Sequence, residues 1–122
     1  MIYNALSIAG SDPSGGAGIQ ADLKVFSAHN TYGMAAITAL TAQNTRGVSA
    51  IKTLSADFVA EQIKVIFCDI RVDAVKIGMI ANAEIAEAVA STLNEVQAKN
   101  IVLDPVMIAK GGAPLLVEEA VG

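Results

Sequence analysis

The sequence predicts an α/β fold built on a mostly parallel sheet. Two observations carry this. Short apolar runs such as ALSIA (5–9), AVKIGM (74–79) and IVL (101–103) alternate with stretches whose apolar residues recur at helical spacing. The strand runs also lack a regular polar face, so both faces of the sheet need cover, as in βαβ units. Hydrophobic residues make up 53% of the 122 residues and charged residues 16%, enough for the core of one domain. Aromatics are only 4% and Trp is absent, so that core is aliphatic.

The elements follow in order. Ala5–Ala9 is a buried strand that stops at Gly10. A helix spans Gly18–Asn30, with Ile19, Leu23 and Phe26 on its core face and His29 in its last turn. Met34–Gln43, apolar and uncharged, is a second buried strand, although its alanines suit a helix as well. Asn44–Gly47 is a turn and Val48–Leu54 a more polar strand. Ser55 caps a helix that runs through EQIKVIFCDI, with Asp57 in its first turn. Ala74–Met79 is a strand, and Asn82 caps a helix over AEIAEAVASTLNEV. Ile101–Leu103 is a strand ending at Asp104-Pro105. The loop IAKGGAP leads to LLVEEAVG, barely two turns of helix, which reads as a domain cut short.

Several function classes are excluded at once. The formal net charge is -4 and no basic cluster is present, which argues against a nucleic-acid face. A single cysteine, Cys68, allows neither an internal disulfide nor a cysteine-based zinc cluster; its apolar neighbours predict a buried thiol. MIYNALSIAG has no basic leader segment, and no apolar run approaches the roughly 20 residues a membrane helix needs. The expected compartment is the cytoplasm.

The chemistry concentrates in AGSDPSGGAGIQAD (9–22), which holds four glycines between a strand and a helix. A phosphate-binding P-loop fails, because Gly16 stands where the lysine should be. A dinucleotide fingerprint fits Gly16, Gly18 and Ala21, but the acidic residue it needs near position 41 is missing and the turn is too long. A third reading uses the polar groups at the strand ends: Ser11 and Asp12, Gln43 and Asn44, Gly78 and Met79, Asp104 and Val106. Ligands bind parallel sheets beyond those ends. An amide such as Gln43 pairs with a ring nitrogen and its amino group together, and a methionine adapts to a ring face. Spacing alone leaves Asp22 open between a solvated helix carboxylate and a cavity group. It leaves Asp104 open between a turn residue and a site carboxylate.

AGSDPSGGAGIQADLK, TALTAQNTRGV, DAVKIGM and VLDPVM together resemble the hydroxymethylpyrimidine/phosphomethylpyrimidine kinases of thiamine biosynthesis, in the ribokinase-like superfamily. The likeness runs from Ala5 to Val121. It implies a ribokinase-like three-layer αβα fold, with residues 1–122 as the amino-terminal part of one kinase domain. It implies ATP-dependent phosphorylation of 4-amino-5-hydroxymethyl-2-methylpyrimidine and then of its monophosphate, with Mg2+, by a homodimer. Carried onto this sequence, Gly10, Ala17, Asp22, Gln43, Met79 and Val106 would hold the pyrimidine. Gln43 would read the aminopyrimidine edge, and Asp104 would line the route to the ATP phosphates and their metal.

Two departures stand beside the matches. The family's Gly-rich anion hole, a G-T-G-C-type turn carrying the catalytic base, is not among these 122 residues, so the isolated chain is expected to be inactive. Gly111-Gly112 stand where the family commonly has Ser-Gly. The alternatives are a pyridoxal kinase-type activity on another flat hydroxymethyl heterocycle, and a pyrimidine-binding fragment without catalysis.

Overall fold

The first strand of the chain is almost wholly buried, so its backbone groups need partners, and both of its edges are paired. In the computed structural model, which describes residues 1–104, β1 (Asn4–Ala9) lies between β2 (Tyr32–Ile37) and β5 (Ala74–Ile77). β6 (Ile101–Leu103) pairs with β5, and the described residues thus form a parallel sheet of order β2-β1-β5-β6.

Among the described residues three helices cover this sheet: α1 (Gly18–Ala28), α2 (Ala56–Asp69) and α3 (Ala83–Glu95). Strand alternation shows which face each one takes. Leu6 and Ile8 of β1, Met34 and Ala36 of β2 and Val75 of β5 form one core with Val59 and Ile63 of α2 and Ile85, Val89 and Leu93 of α3. The intervening residues face α1. Ser7 bonds to Asp22, and a Cβ on Gly33 would touch Leu23 and Phe26. The result is three layers, as expected. Ser55 and Asn82 cap their helices as the sequence predicts: the Ser55 hydroxyl accepts from Phe58 N–H and the Asn82 side-chain carbonyl from Ile85 N–H.

Three expectations need correction. The run Met34–Gln43 is not one strand. It breaks at Thr38, and β3 (Ala39–Asn44) leaves the parallel sheet to pair antiparallel with β4 (Gly47–Thr53). Thr38 is fully buried at the corner. Its N–H donates to Ala9 O and its hydroxyl to Met79 O, so the corner is made by long-range bonds that no local turn residue announces. The first helix ends at Ala28, two residues early, because Asn30 adopts a left-handed φ of 56°. Cys68 is exposed. α2 turns Val59 and Ile63 inward, and a residue five places beyond Ile63 lies about 140° round the helix from it. Val106, Gly111-Gly112 and the segment LLVEEAVG lie outside the described residues.

Gln62 of α2 repairs the end of β2. Its amide accepts from Ile37 N–H and donates to Ile37 O, both at 2.9 Å, in place of a neighbouring strand. Gln62→Ala leaves two half-buried backbone groups without that partner. It is expected to lower stability by about 1–3 kcal/mol in urea denaturation of the intact protein, with the slope unchanged.

Candidate active site

The chain runs from β1 through α1 to β2 on one side, and from β5 through α3 to β6 on the other. The two connections depart in opposite directions, so a crevice opens beyond the carboxyl ends of β1 and β5. A cavity of about 240 Å³ occupies that place. Gly10, Ala17, Asp22, Gln43, Met79 and Asp104 all line it. Of the residues that the family resemblance assigns to the site, Val106 alone falls outside the described range; Asn44, a strand-end candidate, is not among the residues lining the cavity.

The Gly-rich loop forms one wall. Ile19 N–H donates to Gly10 O and Ser11 bridges to Gly18, which closes the loop at its base. Gly18 has φ +60°, and a Cβ there would lie 2.3 Å from Gly10 O, so only glycine fits. A Cβ on Gly10 would stand 1.9 Å from the Met79 methyl, so the Met79 side chain packs directly onto this backbone and forms the apolar wall.

The same loop holds its own anion. The Asp12 carboxylate accepts from Ser14 N–H at 2.9 Å, the Ser14 hydroxyl at 2.7 Å and Gly16 N–H at 3.0 Å. Gly15 N–H donates to Asp12 O. The loop N–H groups that a phosphate would need are therefore spent on a resident carboxylate, and the P-loop reading fails on geometry as well as on sequence. Burial opposes the ionisation of Asp12. The hydrogen bonds from the Ser14 hydroxyl and from the backbone of Ser14, Gly16 and Ala17 outweigh it and hold the carboxyl below its ordinary value.

Asp22, open between two readings in the sequence, is buried and faces the cavity. Its Oδ2 accepts from the Ser7 hydroxyl at 2.7 Å, and its Oδ1 from Lys76 Nζ at 2.5 Å. Gln43 comes from β3, just past a bulge between Ala42 and Gln43 that re-aims the strand. The Thr41 hydroxyl lies 2.7 Å from Ser11 O and 3.1 Å from Gln43 Oε1, which ties the amide to the loop. Gln20 adds a second tie: its Oε1 accepts from Asp12 N–H and its Nε2 donates to the Ser11 hydroxyl. Sequence reasoning missed Ser7, Gln20, Thr41 and Lys76. A signal existed for Lys76 alone, a single charge inside the apolar run AVKIGM.

Asp104 stands at the mouth, its side chain 58% exposed and 3.7 Å from Lys76 Nζ. Among the described residues no three acidic, His or Cys side chains converge as a metal site. A magnesium ion held mainly by substrate phosphates needs only one or two carboxylates. Asp104 fits that single role.

A family model described as phosphomethylpyrimidine kinase matches residues 12–122. The chain belongs to the phosphomethylpyrimidine kinase family. Over 118 residues, 97% of this family chain, it is 59% identical to a hydroxymethylpyrimidine/phosphomethylpyrimidine kinase of Escherichia coli strain K12, covering 44% of that protein. It is 45% identical to a pyridoxine kinase of Bacillus subtilis strain 168, covering 97% of this chain and 44% of that one. The chain thus spans less than half the length of these curated relatives. Among solved structures, a phosphomethylpyrimidine kinase from Clostridium difficile 630 matches with a TM-score of 0.89 at 53% identity, over 97% of this chain and 51% of its own. The solved neighbours are ribokinase-like kinases, and this chain shares their α/β fold over the part they have in common.

Asp12 makes the loop sensitive to acid. A carboxyl whose folded value is lowered stabilises the fold above its unfolded value, near 3.8, and the stabilisation is lost as pH falls through the lower folded value. Asp12→Asn is expected to cost stability at neutral pH. The gap between wild type and variant, followed by chemical denaturation across a pH series, is expected to close below about pH 4.

Proposed function

We propose that the protein of which these residues form part phosphorylates the hydroxymethyl group of 4-amino-5-hydroxymethyl-2-methylpyrimidine, and then the resulting monophosphate, with ATP, in thiamine biosynthesis. In this reading residues 1–122 are the amino-terminal part of one kinase domain and supply its heterocycle pocket. The observation that carries it is the meeting of an amide, a buried carboxylate and a methionine wall in one small cavity at the sheet's switch point. Pockets for drug-sized ligands run to about 300–1,000 Å³. A cavity of about 240 Å³ suits a single small ring.

The roles divide by chemistry. Gln43 offers an acceptor to the exocyclic amino group and a donor to the neighbouring ring nitrogen. Met79, packed on Gly10, offers its apolar side chain to one face of the ring. Asp22 accepts a hydrogen bond from the ring or its hydroxymethyl arm. Asp104, at the mouth, is the residue that would meet the metal of the nucleotide. Magnesium–ATP, when bound, supplies the phosphoryl group and neutralises its charge. The hydroxymethyl oxygen would form the new bond to the terminal phosphorus as the bond to the ADP oxygen breaks, its proton passing to the base that the family resemblance places on the Gly-rich turn absent from these 122 residues. The pocket residues orient that oxygen and exclude water from it.

A pyridoxal kinase-type activity is the second reading. It is favoured by the 45% identity to a pyridoxine kinase and by the likeness to a Staphylococcus aureus pyridoxal kinase solved with AMP-PCP and pyridoxal (38% identity, TM-score 0.77, over 88% of this chain and 40% of that one). The amide at position 43 argues for the pyrimidine, since it matches an amino group beside a ring nitrogen.

The test is ATP-dependent turnover by the intact protein with each heterocycle. The pyrimidine is expected to give the higher kcat/KM; a preference for pyridoxal would overturn the reading. Gln43→Glu removes the N–H donor and places a carboxylate against the ring nitrogen. It is expected to cost about 1–3 kcal/mol of pyrimidine binding, roughly five- to 150-fold in Kd by calorimetry.

A further inference from the structure

Lys76 is a charge placed where the sheet has no use for one. It sits in β5, between β1 and β6, in an otherwise apolar strand. It is paired in register with Ser7, so the two side chains leave neighbouring strands on the same face, beneath α1. Both end on the same carboxyl group: Ser7 on Asp22 Oδ2 and Lys76 on Asp22 Oδ1. On its other side Lys76 pairs with Val102, and Asp104 follows two residues later on the same face, with Oδ2 3.7 Å from Nζ. Among the described residues lining the cavity, Lys76 is the one cation, against the carboxylates of Asp12, Asp22 and Asp104.

We propose that Lys76 is a positioning residue for this site: it fixes the Asp22 carboxylate on the cavity floor in the attitude that receives the heterocycle. The inference rests on the pyrimidine reading of the cavity. A carboxylate has about four acceptor positions, and Ser7 and Lys76 take one on each oxygen. With both oxygens held from two different strands, the group cannot rotate, and its remaining acceptor positions are pre-set for a ligand. The Asp22 side chain is 11% exposed and that of Lys76 31%, so this is a largely dry pair, and removing the cation strands the carboxylate. The same ammonium reaches Asp104 and so ties the floor of the cavity to its mouth.

The test is a double-mutant cycle in the intact protein, reading melting temperature and pyrimidine affinity by calorimetry for wild type, Lys76→Met, Asp22→Asn and the double variant. Lys76→Met is expected to lower the melting temperature and to weaken pyrimidine binding about ten-fold or more. The double variant is expected to recover melting temperature, because no carboxylate is stranded, but to bind no more weakly than Asp22→Asn alone. Lys64→Met, on the surface pair with Glu95, is expected to change neither reading. Three results would overturn the proposal: Lys76→Met binding the pyrimidine as wild type does, affinity losses that add across the cycle, or a double variant that regains wild-type affinity. If Lys76→Met does not fold, the comparison of the double variant with Asp22→Asn decides alone. Wild-type protein that fails to bind the pyrimidine would instead remove the reading beneath the proposal.

Discussion

Connections between parallel strands are right-handed, and that constraint organises this molecule. A chain moving from β1 to β2 must place α1 on one face of the sheet. A chain moving the other way, from β5 to β6, must place α3 on the opposite face. The connections therefore part above β1 and β5, and the gap between them is the cavity. The three layers, the side on which Asp22 lies and the wall that Met79 forms all follow from this one reversal.

The Gly-rich loop takes its meaning from that position. Glycine-rich turns between a strand and a helix are often phosphate cradles because their N–H groups point at an anion. Here the anion is Asp12, built into the loop and hydrogen-bonded by Ser14 and Gly16. The loop is thus a self-satisfied wall whose glycines serve close approach: Gly18 to the Gly10 carbonyl and Gly10 to Met79. Gln20 and Thr41 then tie this wall to α1 and β3, so the amide of Gln43 is carried on a braced surface.

Local periodicity made β1, α1, α2, β5, α3 and β6 legible, because each element's burial is set by residues close in sequence. It failed at Thr38, where an alanine-rich run turns a corner on bonds to Ala9 and Met79. It failed also at Cys68, whose apolar neighbours concealed an outward helical phase. The strand-end residues Asp12, Gln43, Met79 and Asp104 were legible as cavity candidates from the topology of parallel sheets alone. The family likeness then connected Gly10, Ala17 and Asp22 to the same site. Ser7 and Lys76 were not connected to it, since they meet Asp22 only through strand register, which a single sequence does not display.

The central claim is that this crevice receives a flat amino-heterocycle while the loop 11–18 receives no phosphate. A crystal structure of the intact protein with 4-amino-5-hydroxymethyl-2-methylpyrimidine and a non-hydrolysable ATP analogue tests it directly. The account predicts the ring lying against the Met79 wall beside Gly10, its amino edge on Gln43, and the nucleotide phosphates on the far side of Asp104. Phosphates seated on the Ser14 and Gly16 N–H groups, with Asp12 displaced, would contradict it.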